Sequence, residues 1–547
     1  MPGHKYSDRE TRASFGIASK QFSILKRAQV KYTNAYLMKT PLRSPNDSRV
    51  FWGCFFAMVT CAFGFIIRTQ VIDAWQVQFN LSETEKGEIL GVGFWPFAFS
   101  IFILSLIIDR IGYRSAAMIG LALHLASTAV LLTAHSARAL YWGTFLFALS
   151  NGTVEAYINP TISAMYPREK VKWLNFLHAG WPGGMVLAGV IGISLGIVDW
   201  RVKVALTLIP TAVYAIILIG THFPVSERVA AGVTYREMLS DFGALGAFVA
   251  VYLISLQVCD GILGIETGKF VWPLLPAVVV AAAFGVYVRS LGRGVYFILL
   301  LIMIPLATTE LGVDSWITDL MGPEMRHIGL HAGWVLVYTA AIMTFLRLNA
   351  GFFSHRFSPF AILAGGATLA ALGLMSLSYA VGIGVLLAAT IYGLGKAYFW
   401  STTIGVVGDQ FPKGGALTMN SIGGVGMLGL SVGMVFLGNV QDRRIDRELL
   451  AHDAASGTTL HTDYLTIAKH SIFGNYLALD QDALNKAPVR DLQQIEAITV
   501  VAKKGALRTA AMFPTAMLCA YIALLFYYKA RGGYRVHVLA PSVASSA

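Results

Sequence analysis

A few charged side chains stand deep inside stretches that are otherwise apolar. Glu155 lies in LFALSNGTVEAYINPTISAMYP with Asn151 and Asn159 four residues to either side. That spacing puts all three on one helix face. Glu310 and Asp314 share a face by the same rule, and Tyr392, Lys396 and Trp400 repeat it, with an ammonium between two aromatic rings. Arg68 falls about 18 residues into the first apolar run, about 27 Å along a helix. A carboxyl group in a poorly solvated cavity can take a proton from one side of a barrier and release it to the other. Flanking amides such as Asn151 and Asn159 can hydrogen-bond either protonation state. Each charge costs roughly 2.5–3.5 kcal/mol at the centre of an apolar helix, so Glu155, Glu310 and Lys396 together cost on the order of 8–10 kcal/mol unless they face an interior cavity. Other positions read two ways. Arg68 can snorkel outward, Asp314 can be a solvated cap, and His178 can be a packing residue or a ligand.

The elements that must position these groups follow from composition. The chain has 547 residues, 56% hydrophobic and 13% charged, with a mean hydropathy of +0.61. Soluble domains carry about 25% charged residues, and a membrane span takes roughly 20 mostly apolar residues. Such runs recur along the chain, which predicts a polytopic helical membrane protein. The net charge of +12 does not point to nucleic acid. Residues 1–50 hold ten Lys or Arg against three acids, directly before the first run. A basic segment there is retained in the cytoplasm and meets anionic lipid. The four cysteines and twelve histidines form no disulfide framework or metal-ligand spacing.

Apolar runs are expected near 50–74, 87–108, 115–134, 138–165, 174–198 and 202–222. An inserted pair follows near 244–262 and 270–289, and six more runs near 294–318, 328–353, 358–378, 381–405, 414–438 and 508–528. This gives about fourteen transmembrane helices. The domains read as a basic tail (1–49), a six-helix bundle (50–222), a linker with the inserted pair (223–293), a second bundle (294–438 and 508–528), a long polar loop (439–507) and a tail (529–547). Loops DRIGYR, YPREKVKW and RSLGRG and the terminal YYKARGGYR are basic, so both termini are expected in the cytoplasm of a cell-membrane protein. The 439–507 segment holds eight basic and nine acidic residues. It is expected outside, as a cap of short helices. Two motif matches carry no chemistry. GVGMLG (Gly424–Gly429) and GLSVG (Gly429–Gly433) fit dinucleotide and nucleophile-elbow patterns that require a strand-turn-helix setting, whereas here they overlap in one apolar helix, where small residues bring helices close.

The segment SLIIDRIGYRSA resembles the signature of the major facilitator superfamily. Ser105 stands where Gly is usual, and Asp109, Arg110, Gly112 and Arg114 match. The corresponding GFFSHRFSP keeps Gly351 and Arg356 and has His355 for the acid, as two related halves would give. Within the superfamily, NGTVEAYINP is similar to the fourth helix of the fucose–galactose–glucose:proton symporter group through Gly152, Glu155, Ala156, Asn159 and Pro160. Leu174 and Asn175 match its fifth helix, with His178 in place of an amide. Glu310 and Trp316 resemble the acid-then-Trp pattern of its seventh. The group's acid late in the first helix is replaced by Thr69.

The resemblance implies two six-helix bundles rocking about a midplane site, in a secondary transporter of a small polar solute, a proton-coupled sugar symporter. Glu155 and Glu310 would carry protons. Trp181, Trp316, Tyr392 and Trp400 would stack on a sugar ring, and Asn151, Asn159 and His178 would bind hydroxyls. Lys396 and Arg68 add positive charge, which favours a sugar acid or organic anion as the alternative substrate. A non-transporting receptor on the same fold, capped by 439–507, is a second alternative. No enzymatic activity, cofactor, metal or nucleic acid is expected. The partners are the solute, protons and lipid, and the protein is expected to be a monomer.

Overall fold

The computed structural model describes residues 44–79, 81, 83–196, 198–259, 270–471 and 473–540. The basic tail up to residue 43, the turn expected between the inserted helices (260–269) and the end of the C-terminal tail lie outside the described residues. Helices of spanning size follow one another as α1 (Pro45–Phe79), α2 (Ile89–Ile111), α3 (Tyr113–Leu132), α4 (Ala137–Met165), α5 (Lys170–Leu195), α6 (Trp200–Leu218), α7 (Tyr235–Gln257), α8 (Leu274–Val288), α9 (Gly294–Thr318), α10 (Trp334–Leu348), α11 (Pro359–Tyr379), α12 (Gly384–Lys396, resuming as Phe399–Gln410), α13 (Pro412–Ser456) and α14 (Val489–Ala530). Among the described residues ten of these are long and apolar enough to cross a membrane, and α8 and α10 are shorter apolar helices. The remaining two are α4, which is more polar, and α12, which is broken. This is an all-α polytopic membrane protein.

Local sequence sets the ends of several helices. Ser136 Oγ accepts from Ala139 N at the start of α4, and Thr234 and Glu237 form a reciprocal capping box at the start of α7. In the first half α1 packs on α5, and α4 on α2 and α3; in the second, α11 packs on α12 and α14, and α9 on α13. The halves meet where α2 lies against α13 and α5 against α10. Small residues allow this approach. A Cβ on Gly424 would sit 2.6 Å from the Phe102 ring, which explains the glycines that mimic enzyme motifs there.

The inserted pair lies at the periphery. Leu275, Val278, Val279, Val286 and Tyr287 of α8 are exposed, as a lipid-facing helix requires. Its base is clasped at Gly243, whose φ of +62° kinks α7. Ala244 N and Leu245 N donate there to Ser290 O and Leu291 O.

The polar 439–507 segment departs from the expected cap of short helices. α13 and α14 run unbroken through its boundaries, so that each projects well beyond a hydrocarbon layer about 30 Å thick. Between them lie an antiparallel hairpin, β1 (Ile467–Ser471) and β2 (Gly474–Ala478), and two short helices, Leu460–Tyr464 and Gln481–Leu484. Ile445, Leu449, Leu460, Tyr464, Leu465 and Ile495 give the projection its own apolar core. Lys504 ties it to the second half by donating to Glu324 Oε1 (2.5 Å) and Ala380 O (2.9 Å).

Candidate functional site

Two interruptions of regular helix build the centre of the molecule. In α9, Pro305 has no N–H to donate, and one turn later Thr308–Gly312 widens into a π-helical turn. Glu310 and Asp314 then both lie buried on the inner side. In α12 the helix breaks after Lys396 and resumes at Phe399, which frees backbone groups at the break. Arg347 Nε donates to one of them, Ala397 O, at 2.6 Å. Trp400 N donates to Glu310 Oε2 at 3.2 Å. Arg347 Nη2 completes the cluster on Glu310 Oε1 at 2.8 Å.

The other wall comes from α4 and α5. Glu155 Oε1 accepts from Trp400 Nε1 at 3.3 Å, across the interface between halves. His178 Nε2 lies 3.8 Å from the same oxygen and 2.8 Å from Asn159 Oδ1, an arrangement that places the ring proton on Nε2. Asn159 Nδ2 donates back to Glu155 O at 3.3 Å. Pro160 leaves Ala156 O without its helical donor, and Asn420 Nδ2 of α13 takes that carbonyl at 2.9 Å. Arg347 Nη1 reaches across to His178 O at 3.1 Å.

These groups line a cavity between the halves, with Asn151, Glu155, His178 and Trp181 from the first half and Glu310, Arg347 and Trp400 from the second. Met58, Phe97 and Met427 supply apolar wall. Trp181 lies tilted against Phe65, with ring centres 6.0 Å apart, and its buried indole N–H has no hydrogen-bond partner among the described residues. Asn151 is held from behind by His124 Nε2 at 3.1 Å, whose Nδ1 meets Tyr214 Oη.

Several residues singled out by spacing are not in this cavity. Lys396 was expected to add positive charge at the substrate site. It is instead fully buried inside the second half, in contact with Asp314 and 4.9 Å from the Tyr392 ring centre. Asp314 is buried there and not at a solvated helix end. Tyr392 donates to Thr309 O at 2.6 Å, behind the cavity wall. Trp316 is half-buried against the second half's own apolar cluster, which includes Val313, Ile317 and Leu437. Arg68 neither snorkels nor lines the cavity. It is buried over the Phe147 ring at 4.4 Å, with Nε on Gly64 O. Arg347, at the centre of the site, was missed. It stands near the end of its apolar run, where a basic residue reads as an interfacial anchor.

The Asp314–Lys396 contact leads to a test. Lys396→Ala leaves a buried carboxylate without its counter-ion, a loss of about 3–5 kcal/mol. Lys396→Ala is therefore expected to melt well below wild type in detergent, and Asp314→Asn added to it should restore most of the loss. Recovery with Glu310→Gln instead would assign the partner otherwise.

The model of the Major Facilitator Superfamily matches residues 52–443. The chain belongs to this superfamily. No curated protein gives a match. Solved structures of the superfamily do. FucP, the E. coli fucose:proton symporter, in its outward conformation is 14% identical, with a TM-score of 0.55 over 86% of this chain and 98% of its own. The human organic anion transporter TETRAN is 12% identical, with a TM-score of 0.55 over 87% and 100%. The proton:xylose symporter XylE bound to 6-bromo-6-deoxy-D-glucose is 14% identical, with a TM-score of 0.52 over 74% and 90%. At such identities the likeness establishes the shared fold.

The major facilitator signature loop is engaged at the basic end of the bundle. Asp109 Oδ2 accepts from Arg228 Nε (2.9 Å) and Nη2 (2.5 Å), in the short linker helix Glu227–Ala230. Gly112, at φ +80°, makes the turn between α2 and α3. Arg110 lies over the Tyr235 ring, and Arg114 is exposed. In the second half Arg356 stacks on Phe352 at 3.7 Å, Gly351 packs on the Lys172 side chain, and His355 Nε2 lies 3.6 Å from Glu169 of the first half. The hydrogen bonds that join the two halves of this superfamily member beyond the cavity all lie toward this end among the described residues. Asn175 Nδ2 donates to Thr402 Oγ1 (3.0 Å), Ser401 Oγ to Asn175 Oδ1 (2.5 Å), and Lys170 Nζ to Gly408 O (2.8 Å).

Proposed function

We propose that the protein is a proton-coupled symporter of a small neutral polar solute, a sugar in the first instance, with both termini and the basic end of the bundle in the cytoplasm. The observation that carries this reading is the position of Glu155. Its carboxyl group lines the cavity between the halves, touched by an indole N–H and an imidazole, with no Lys or Arg paired to it among the described residues. A carboxyl group so placed is free to exchange a proton as the cavity changes sides. The Trp181 N–H, the Asn151 amide and the flat Trp400 ring offer what hydroxyls and the apolar face of a sugar need. Glu310 is tied to Arg347 and acts on the conformation through α12.

An organic anion is less well served. Lys396 and Arg68, the cations that favoured it, are outside the cavity, and Arg347 is committed to Glu310 and two carbonyls.

Purified protein in sealed vesicles, given a pH gradient and a panel of labelled neutral sugars and sugar acids, tests the proposal. A neutral sugar should accumulate on the alkaline side, with proton movement in step. Accumulation of sugar acids alone, or equal uptake with and without the gradient, would sink it.

A further inference from the structure

The chain does not leave the bundle after α14. Gly532 and Gly533, at φ +88° and +95°, turn it back beneath the basic end, and the ten residues that follow α14 run across that surface in contact with two different parts of the molecule. The first contact is with the end of α12. Tyr534 Oη donates to Asp409 Oδ2 at 2.9 Å, Gln410 Nε2 donates to Arg535 O at 2.7 Å, and His537 N donates to Asp409 O at 2.9 Å. The Tyr534 ring sits 5.9 Å from Phe360 and 5.6 Å from Tyr528, which fixes it to the second half. The second contact lies further on, where Leu539 N donates to Glu227 Oε1 at 3.1 Å.

Glu227 belongs to the linker helix, and that helix is held to the first half twice. Its other oxygen, Oε2, lies 2.7 Å from Lys170 Nζ at the start of α5. Its neighbour Arg228 holds Asp109 of the signature loop. A path of hydrogen bonds therefore runs from α12 through the tail to Glu227 and into the first half. Glu227 also lines a second, small cavity at this end, together with Tyr113, Ser163, Arg228 and Gly408. Opening the basic end means moving Gly408 and Asp409 away from Lys170 and Asp109, and the tail is bonded to both sides of that gap.

We infer that residues 532–540 form a strap that holds the basic end shut and must release Glu227 or Asp409 before the transporter opens there. The inference rests on the transporter reading above, because a closed end is a state only if the protein also opens. Through the strap, whatever binds or modifies the tail would set the balance between the two forms.

The test reads accessibility and needs no substrate. Ser163 is buried in the second cavity. Among the native cysteines Cys54, Cys61 and Cys259 are buried and Cys519 is exposed. In purified full-length protein carrying Cys519→Ser and Ser163→Cys, the rate of maleimide labelling reports how often the basic end opens. Three strap variants are compared in that background: Leu539→Pro, which removes the N–H bonded to Glu227; Tyr534→Phe, which keeps the ring and loses the hydroxyl; and truncation after Arg531. Leu539→Pro and Tyr534→Phe should label several-fold faster than the parent, and the truncated chain about tenfold faster, the shift in population expected when one or two net hydrogen bonds are lost. Should the truncated chain fold poorly, the two point variants decide. Labelling rates equal to the parent in both would overturn the strap. Equal rates would leave the sugar accumulation experiment untouched, and faster labelling in a protein that accumulates no solute would leave the strap standing.

Discussion

Glu155→Gln is expected to bind solute and exchange it across a vesicle membrane, while accumulating none when only a pH gradient is supplied. The glutamine keeps the shape of the side chain and an oxygen for the Trp400 indole N–H 3.3 Å away, so the cavity survives. What it loses is the exchangeable proton. A symporter whose proton carrier is permanently neutral still alternates, and can trade labelled for unlabelled solute, but its cycle no longer consumes the gradient. Uphill uptake should fall to background if Glu155 is the sole carrier, while counterflow stays close to wild type. Uphill uptake by Glu155→Gln would make the carboxyl a structural partner of Trp400 and His178. The absence of an acid at Thr69, where the symporter group carries one, makes this a stringent test, because Glu310 is already bonded to Arg347 and is poorly placed to substitute.

Arg347→Ala should be the most destabilising single change in the site. It strips the counter-ion from Glu310 in a place where both side chains are almost completely buried, and it orphans Ala397 O at the break in α12. Leaving one charge of a buried pair alone costs about 3–5 kcal/mol. The variant should melt far below wild type in detergent and transport at background level. Adding Glu310→Gln removes the stranded charge, so the double variant should regain much of the stability without regaining transport. Arg347→Lys keeps the charge but cannot serve Glu310, Ala397 O and His178 O together. It should fold better than Arg347→Ala and still transport poorly. A melting temperature for Arg347→Ala close to wild type would mean that Glu310 is neutral or otherwise paired.

Helix periodicity and cost in lipid were enough to find Glu155, Asn151 and Glu310, because each lies in the middle of a long apolar run with no other reason to be there. They were not enough to pair the charges. Spacing tells which residues share a helix face but not which residue of a neighbouring helix each one meets, and it is Asp314 rather than Glu310 that meets Lys396. Arg347 was invisible for a different reason. Distance from the end of an apolar run measures depth only if the run and the membrane end together, and α10 ends short, inside the protein. The extension of α13 and α14 was hidden by composition. A long helix that leaves lipid for water turns polar without ceasing to be a helix, so its hydropathy profile reads as an ordinary loop.

The 42-residue helix from Gly415 to Ser456 is one stiff rod. It carries Met427 at the cavity and Leu449 in the projecting core, and at 1.5 Å per residue it is about 63 Å long. A tilt of the second half about its closed end therefore displaces the far tip by roughly 1 Å per degree, several times the movement at the cavity itself. The projection is a lever arm. Near it, Phe473 rests against Phe436 on the rod and against Phe270 of the inserted pair, like a pointer meeting its stop. A binder that grips the hairpin and the inserted pair together would hold the rod roughly 32 Å from its closed end, about halfway along the lever, and would resist the tilt there.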